Sequence, residues 1–259
     1  MKNRIKLLGA ALITALLVFA FAACKDSDSE DPSVNWWSEI YAYLDGLSAN
    51  NTGNPYDLRV DINLGDMDVG SDWWNLLHLI ATKERFVSLD LSSCTMSNTL
   101  FYPDKIRNNS SYNETMTQYI VGIILPDTAT SIEGYFSVFN NLASVTIGNS
   151  VTSIGNSAFS YCYNLTSIVI PDSVTSIGNS VFTQCPNLTS IIIGSGVTSI
   201  GSYFFEGCNS LTSVTFRGTL TADNIVDAYL FVDLWEKYLA GGIGTYTRPD
   251  INSRVWTKQ

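Results

Sequence analysis

The chain has 259 residues, of which 24 are acidic and 14 basic, giving a net charge of −10. That balance works against nucleic acid and anionic membrane surfaces as partners, because both repel it. Acidic residues crowd the part before Asp104, whereas residues 119–216 carry almost no charge.

Residues 1–23 open with MKNRIK, run apolar and end in FAA before Cys24. A basic head, an apolar stretch and small residues before a cut are the marks of a secretory signal. The ending FAAC resembles a bacterial lipobox, which implies cleavage before Cys24 and acylation of that residue. This reading is preferred to a plain cleaved signal or an uncleaved anchor. Several acyl chains on one residue anchor stably, where a single chain would not. Residues 24–34, CKDSDSEDPSV, are acidic and Ser-rich and are expected to form a disordered tether. No second apolar run of about 20 residues is present, so the lipid is the expected membrane contact. Removing residues 1–23 takes away three basic residues and no acids, leaving 11 basic against 24 acidic residues, a net charge of −13.

Residues 35–118 are expected to form an α/β cap. NWWSEIYAYLDGL has helical spacing. DLRVDINL alternates, with Leu58, Val60, Ile62 and Leu64 on one face, as in a half-buried strand. SDWWNLLHLIATK predicts a helix with Ser71 or Asp72 as N-cap and Trp73, Leu76, Leu77 and Ile80 facing inward. RFVSLDLSSC predicts the next strand. Val60 and Val87 are 27 residues apart, so strand–helix–strand reads as a longer repeat that shares a sheet with the later units. Residues 92–118 are polar, and a long loop is expected there.

From residue 119 to 216 one phrase recurs. Leu142, Leu165, Leu188 and Leu211 are 23 residues apart, and a copy one residue shorter starts at Ile120. A fixed period of this size marks a solenoid, in which stacking buries apolar residues that one unit could not bury alone. In each LTSIVI-like start, positions one, four and six point inward and two, three and five outward. Pro126 and Pro171 end strands, and Gly155, Gly178 and Gly201 sit where a tight corner favours an absent side chain. Phe159, Phe182 and Phe205 drop inward from a short 3₁₀ or helical turn. Cys162, Cys185 and Cys208 form a column whose first place is taken by Phe139. A slot that accepts Phe is apolar, so the column reads as buried thiols. No His or second Cys lies at zinc-ligand spacing.

Residues 217–259 are expected to cap the far end. TADNIVDAYLFVDLWEKYLAGG predicts a helix started by Thr221 or Asp223 and closed by Gly241, and TYTRPDINSRVWTKQ a final strand or hairpin.

Units such as LTSIVIPDSVTSIGNSVFTQCPN resemble the BspA-like, treponemal-type leucine-rich repeats of bacterial surface proteins. The tail DLWEKYLAGGIGTYTR is similar to that of spirochaete members. The expected fold is therefore an α/β solenoid of short 23-residue leucine-rich repeats, with a helix-containing N-terminal cap and a helical C-terminal cap. The resemblance implies a lipid-anchored outer-membrane or cell-surface protein that binds host matrix or plasma proteins, or other bacteria. The alternative is a structural envelope lipoprotein with bacterial protein partners inside the periplasm. The resemblance carries over no catalytic residue, and no cofactor is expected.

The residues themselves offer little chemistry. There is one His, no G-x-S-x-G and no Cys–His neighbourhood, so the chain is expected not to be an enzyme. DINLGDMDVGSD falls short of a calcium loop in its Gly position and lacks the closing Glu, so an acidic turn is expected. Asn-x-Thr triplets such as NLT read as strand starts. The candidate site is a surface: Thr166, Ser167, Val169, Thr189, Ser190 and Ile192 face out on the concave sheet, beside Ala143, Ser144 and Thr146. Ile124, Val169 and Ile192 are expected to form an apolar column bordered by hydroxyls, the kind of patch that marks interaction sites.

Overall fold

The 23-residue period folds into two hydrogen-bonded ladders in the computed structural model, which describes residues 36–68, 70–105, 116–225 and 231–259. The expected signal, Cys24 and the tether lie outside the described residues. In chain order the elements are α1 (Trp36–Gly46), β1 (Tyr56–Arg59), α2 (Asp72–Lys83), β2 (Val87–Asp90), β3 (Leu100–Phe101), β4 (Ile120–Ile124) and β5 (Ser131–Ile132). Next come β6 (Ser144–Thr146), β7 (Ser153–Ile154), β8 (Ser167–Ile170), β9 (Ser176–Ile177), β10 (Ser190–Ile193), β11 (Ser199–Ile200) and β12 (Ser213–Phe216). The chain ends with α3 (Val232–Gly241), β13 (Gly244–Thr247) and β14 (Thr257–Lys258).

The first ladder runs β1-β2-β4-β6 and then β8-β10-β12-β13-β14. The Thr166 N–H to Ala143 O bond, 3.4 Å, joins its two parts. Pairing is parallel up to β12 and antiparallel from β12 to β14. The second ladder, β3-β5-β7-β9-β11, is built from strands of two residues. Equal repeat length keeps equivalent residues in register: Ser167, Ser190 and Ser213 stand side by side. Leu165, Ile168 and Ile170 are buried while Thr166, Ser167 and Val169 face out, as the alternation demands.

A spine of aromatic rings runs through the core. Trp73 meets Phe101 at 5.8 Å between centroids, Phe101 meets Phe136 at 5.9 Å, and Phe136 meets Phe159 at 4.8 Å. Phe159 and Phe182 stand 5.5 Å apart, Phe182 and Phe205 6.5 Å, and Phe205 and Trp235 6.1 Å. The two tryptophans come from α2 and α3, so each end helix closes the spine with an indole.

Polar groups stack by the same period. The Asn141, Asn164 and Asn187 amides each donate at 2.7 Å to a carbonyl of the preceding unit, those of Gln118, Asn140 and Tyr163. This explains the asparagine before Leu142, Leu165 and Leu188; Ser210 takes that place before Leu211. Cys185 and Cys208 donate their thiols to the carbonyls of Phe159 and Phe182, both at 3.0 Å. All four described cysteines are buried. Gly178 and Gly201 serve close stacking more than a turn: a Cβ on Gly201 would come within 2.5 Å of the Gly178 carbonyl.

Three expectations change. The partner of Val87 is Tyr56, not Val60, a shift of four residues that leaves the same side chains facing inward. Leu58, Val60, Ile62 and Leu64 are all buried, but the last two already belong to the second layer, where Leu64 N–H bonds Thr95 O. The polar stretch expected as a loop contains β3, and its Cys94 and Phe101 are core residues. Residues 106–115 lie outside the described ones. The last helix starts at Val232, not near Thr221. Residues 222–224 make a 3₁₀ turn and Ile225 bridges Ile200, adding one more step to the second ladder. Gly242, at φ 70°, closes α3 by donating to Tyr238 O. Ser71 is the N-cap of α2, accepting from Trp74 N–H.

Every repeat holds left-handed residues at fixed places. Gly134, Ser157, Ser180 and Tyr203 occupy one, and Tyr161, Gln184 and Gly207 another. Ser180→Gly should raise stability by about 0.5–1 kcal/mol, the left-handed penalty of a Cβ less the extra chain entropy of glycine. Denaturant unfolding measures it, and a lower midpoint would show that the Ser side chain matters more than its backbone. Burial, aided by Asp61 and Asp90, pushes the Cys94 thiol up to about 12 from its ordinary 9.0. Between those values the unfolded chain has lost a proton that the folded chain keeps. Stability should therefore fall above pH 9, by about 1.4 kcal/mol per pH unit for this thiol. Unfolding curves from pH 8 to 11 should show at least that slope, because burial raises the Cys162 thiol as well, and Cys94→Ala should lessen it without abolishing it.

Candidate binding face

The first ladder presents three outward columns, each fixed by strand register. One holds Ala143, Thr166, Thr189 and Thr212. Thr189 Oγ1 donates to Thr166 O at 3.0 Å and Thr212 Oγ1 to Thr189 O at 3.4 Å. Those hydroxyl protons are committed to the backbone, leaving methyls and lone pairs toward solvent. The next column holds Ser88, Gly122, Ser144, Ser167, Ser190 and Ser213. The hydroxyls of Ser167 and Ser190 bond no other group among the described residues. The third column runs Arg59, Asp90, Ile124, Thr146, Val169, Ile192, Thr215 and Thr245.

Val169 is 47% exposed, and Ile124 and Ile192 are half-buried. Thr146 stands between Ile124 and Val169, so the apolar column is broken there and is continuous only across Val169 and Ile192. Thr146, Thr166, Ser167 and Thr189 are exposed and Ser190 is partly so. Ser213 and Thr215 continue the face on β12; the 23-residue step from Ser190 and Ile192 is the signal for them. From Ile124 to Thr215 no outward residue is charged. Charge returns at the N-terminal edge, where Arg59 Nε lies 3.6 Å from Asp90 and Arg59 Nη2 donates to Ser93 Oγ at 2.9 Å.

A recess of about 720 Å³ lies at the C-terminal end, lined by Phe231, Asp233, Glu236, Arg248, Arg254 and Trp256 among others. Arg248 is a clamp there, donating to the carbonyls of Leu211, Ser253 and Asn209. The tail that resembles spirochaete members is explained by packing: Leu234, Trp235, Tyr238 and Tyr246 are buried and Arg248 ties the end of the chain to the last repeat. His78 is exposed and stacks on Trp74 at 5.2 Å. The acidic turn is held by Lys105, which reaches Asp66 O and Asp68 Oδ2, both at 2.9 Å. Among the described residues no group of three or more His, Cys, Asp or Glu could hold a metal ion. No described helix is long and apolar enough to cross a membrane.

Comparison with known proteins gives a family match and a set of solved structures. The family model for the BspA type leucine rich repeat region matches residues 104–233 in 6 copies. A leucine-rich repeat protein of Treponema pallidum is 19% identical over 67% of this chain and 69% of that one, with a TM-score of 0.39. A leucine-rich repeat protein of Eubacterium ventriosum is 23% identical over 53% of this chain and 51% of that one, with a TM-score of 0.33. The chain thus spans about half the length of the latter. A search of the curated proteins finds no match.

Proposed function

The chain belongs to the BspA-type leucine-rich repeat family, and on that premise we propose that it is a lipid-anchored envelope module that binds protein surfaces through its concave sheet, as an adhesin at the cell surface. One observation carries the reading: an outward face without charge, with Val169 half exposed and a row of serine hydroxyls available. The centres of protein interfaces are depleted of charge, and an apolar strip rimmed by hydroxyls suits them. Cys24 is the proposed lipid carrier, and host matrix or plasma proteins and bacterial surface proteins are the proposed ligands. Recognition of this kind asks nothing of catalysis or cofactors.

Val169→Arg with Ile192→Arg places two cations in the middle of the face. Binding to a panel of matrix and plasma proteins should weaken by about 2 kcal/mol or more, since a buried unpaired charge is penalised at that level. The thermal midpoint should fall only modestly, because both positions face out, although the two cations stand on neighbouring strands. Unchanged binding by the folded variant removes the concave face from the reading. Protease treatment of intact cells checks the location: the chain should be digested while a periplasmic control survives. Protection until the outer membrane is opened would place the partner inside the envelope instead.

A further inference from the structure

We infer that the turn side of the coil carries a second docking surface, a ridge of tyrosines that takes Lys- or Arg-bearing segments of a partner protein. The inference is independent of the concave face. In each unit a segment of turns leads from a second-ladder strand to the next first-ladder strand. Tyr102, Tyr135, Tyr161, Tyr163 and Tyr203 all lie in such segments. Tyr161, Tyr163 and Tyr203 are 50%, 52% and 51% exposed. Between residues 101 and 216, every exposed large hydrophobic side chain among the described residues is one of these five tyrosines or Val169. Tyr161 and Tyr163 meet edge to face at 6.2 Å.

Folding does not account for them. Tyr161 and Tyr203 have φ of 60° and 57°, the left-handed region that suits a bulky residue least. The same places in neighbouring units hold Gln184 and Gly207, or Gly134, Ser157 and Ser180. Exposure means that neither tyrosine recovers the strain through burial. Strain kept without a packing return points to a role in recognition.

Charge selects the partner. The ridge segments include Glu133 and Glu206, and residues 119–216 contain no Lys or Arg. Along that span, ring faces and carboxylates are therefore present among the described residues without a cation of the same span to occupy them; Tyr102 lies outside it, in a segment that carries Lys105. The chain itself shows what such a pair accepts. Lys83 Nζ sits 3.2 Å from the centroid of exposed Tyr41 and 2.6 Å from Asp45 Oδ1. An ammonium or guanidinium over a ring gains from the ring quadrupole, and the chain's net negative charge steers such a segment inward.

The test is calorimetric titration of the full chain with an octalysine peptide at physiological salt. The variant combines Tyr161→Gln, Tyr163→Asn and Tyr203→Ser, each copying the residue that a neighbouring repeat uses at that place. Each ring should contribute about two- to fivefold in affinity, so the triple variant should weaken binding at least about eightfold. Its thermal midpoint should not fall. Tyr163→Phe should retain the affinity that Tyr163→Asn loses, because the ring and not the hydroxyl is the binding element. Val169→Ser with Ile192→Ser should leave the titration unchanged. No binding of octalysine by the parent chain, or equal binding by the triple variant, overturns the proposal; equal binding would mean attraction by bulk charge alone.

Discussion

The ring-on-ring stack from Trp73 to Trp235 is the constraint on which the rest depends. Each Phe can be buried only if the unit above and the unit below present a ring at the same height. From Phe136 to Phe205 that requirement goes with equal repeat length and one strand register, and it sets the roles of the caps. An unpaired Phe at either end would leave a large apolar face in water. α2 and α3 differ in sequence and in place, yet both deliver a tryptophan to that position. Aromatic contacts contribute about 0.5–1.5 kcal/mol each beyond their buried area. Six in series tie the stability of every unit to that of its neighbours.

Fixing the rings also fixes the backbone that turns around them, and that backbone brings polar groups close to the core. Helices and long strands would satisfy such groups internally. Strands of two residues cannot, so side chains make up the difference. The Asn141, Asn164 and Asn187 amides, the Thr152, Thr175 and Thr198 hydroxyls and the Cys185 and Cys208 thiols each serve a carbonyl of the preceding unit. This is why the repeat is rich in Asn, Thr and Ser and poor in charge. A Glu in those places has no proton to donate and would leave the carbonyl without that partner. The neutral face proposed for binding is in part a consequence of this need.

The legibility of the sequence has the same origin. The inward columns are legible because a strict period leaves one assignment of inside and outside, and the α2 face is legible from its 3.6-residue spacing. Phe101 and Cys94 are hidden because the short form of a second-ladder strand needs one inward residue, and its polar flanks read as loop. The start of α3 is obscured for a related reason: the run from Thr221 to Asn224 has capping chemistry, but Ile225 is held by Ile200. The register of β1 is not revealed by alternation alone, because a shift of four residues keeps the same face inward. On the binding face, alternation places the columns, but the break at Thr146 shows only once neighbouring strands are laid side by side. The left-handed positions give no signal, since Ser, Gln and Tyr occupy them as well as Gly.

A coil of this kind separates two demands that compete in most folds. Columns facing in must be alike from unit to unit, because each side chain packs on its own copy. Columns facing out have no such duty, so differences there report something other than folding. The inward Ile places keep Ile, Leu, Val or Phe throughout, while the outward place beside them changes from Ile124 to Thr146, Val169, Ile192 and Thr215. The turn position changes from Tyr161 to Gln184 and Gly207. Variation confined to outward places of an otherwise uniform repeat is variation in what the surface offers a partner. The strip at Val169 and Ile192 and the tyrosine ridge are the places where that offer departs furthest from the repeat's own average.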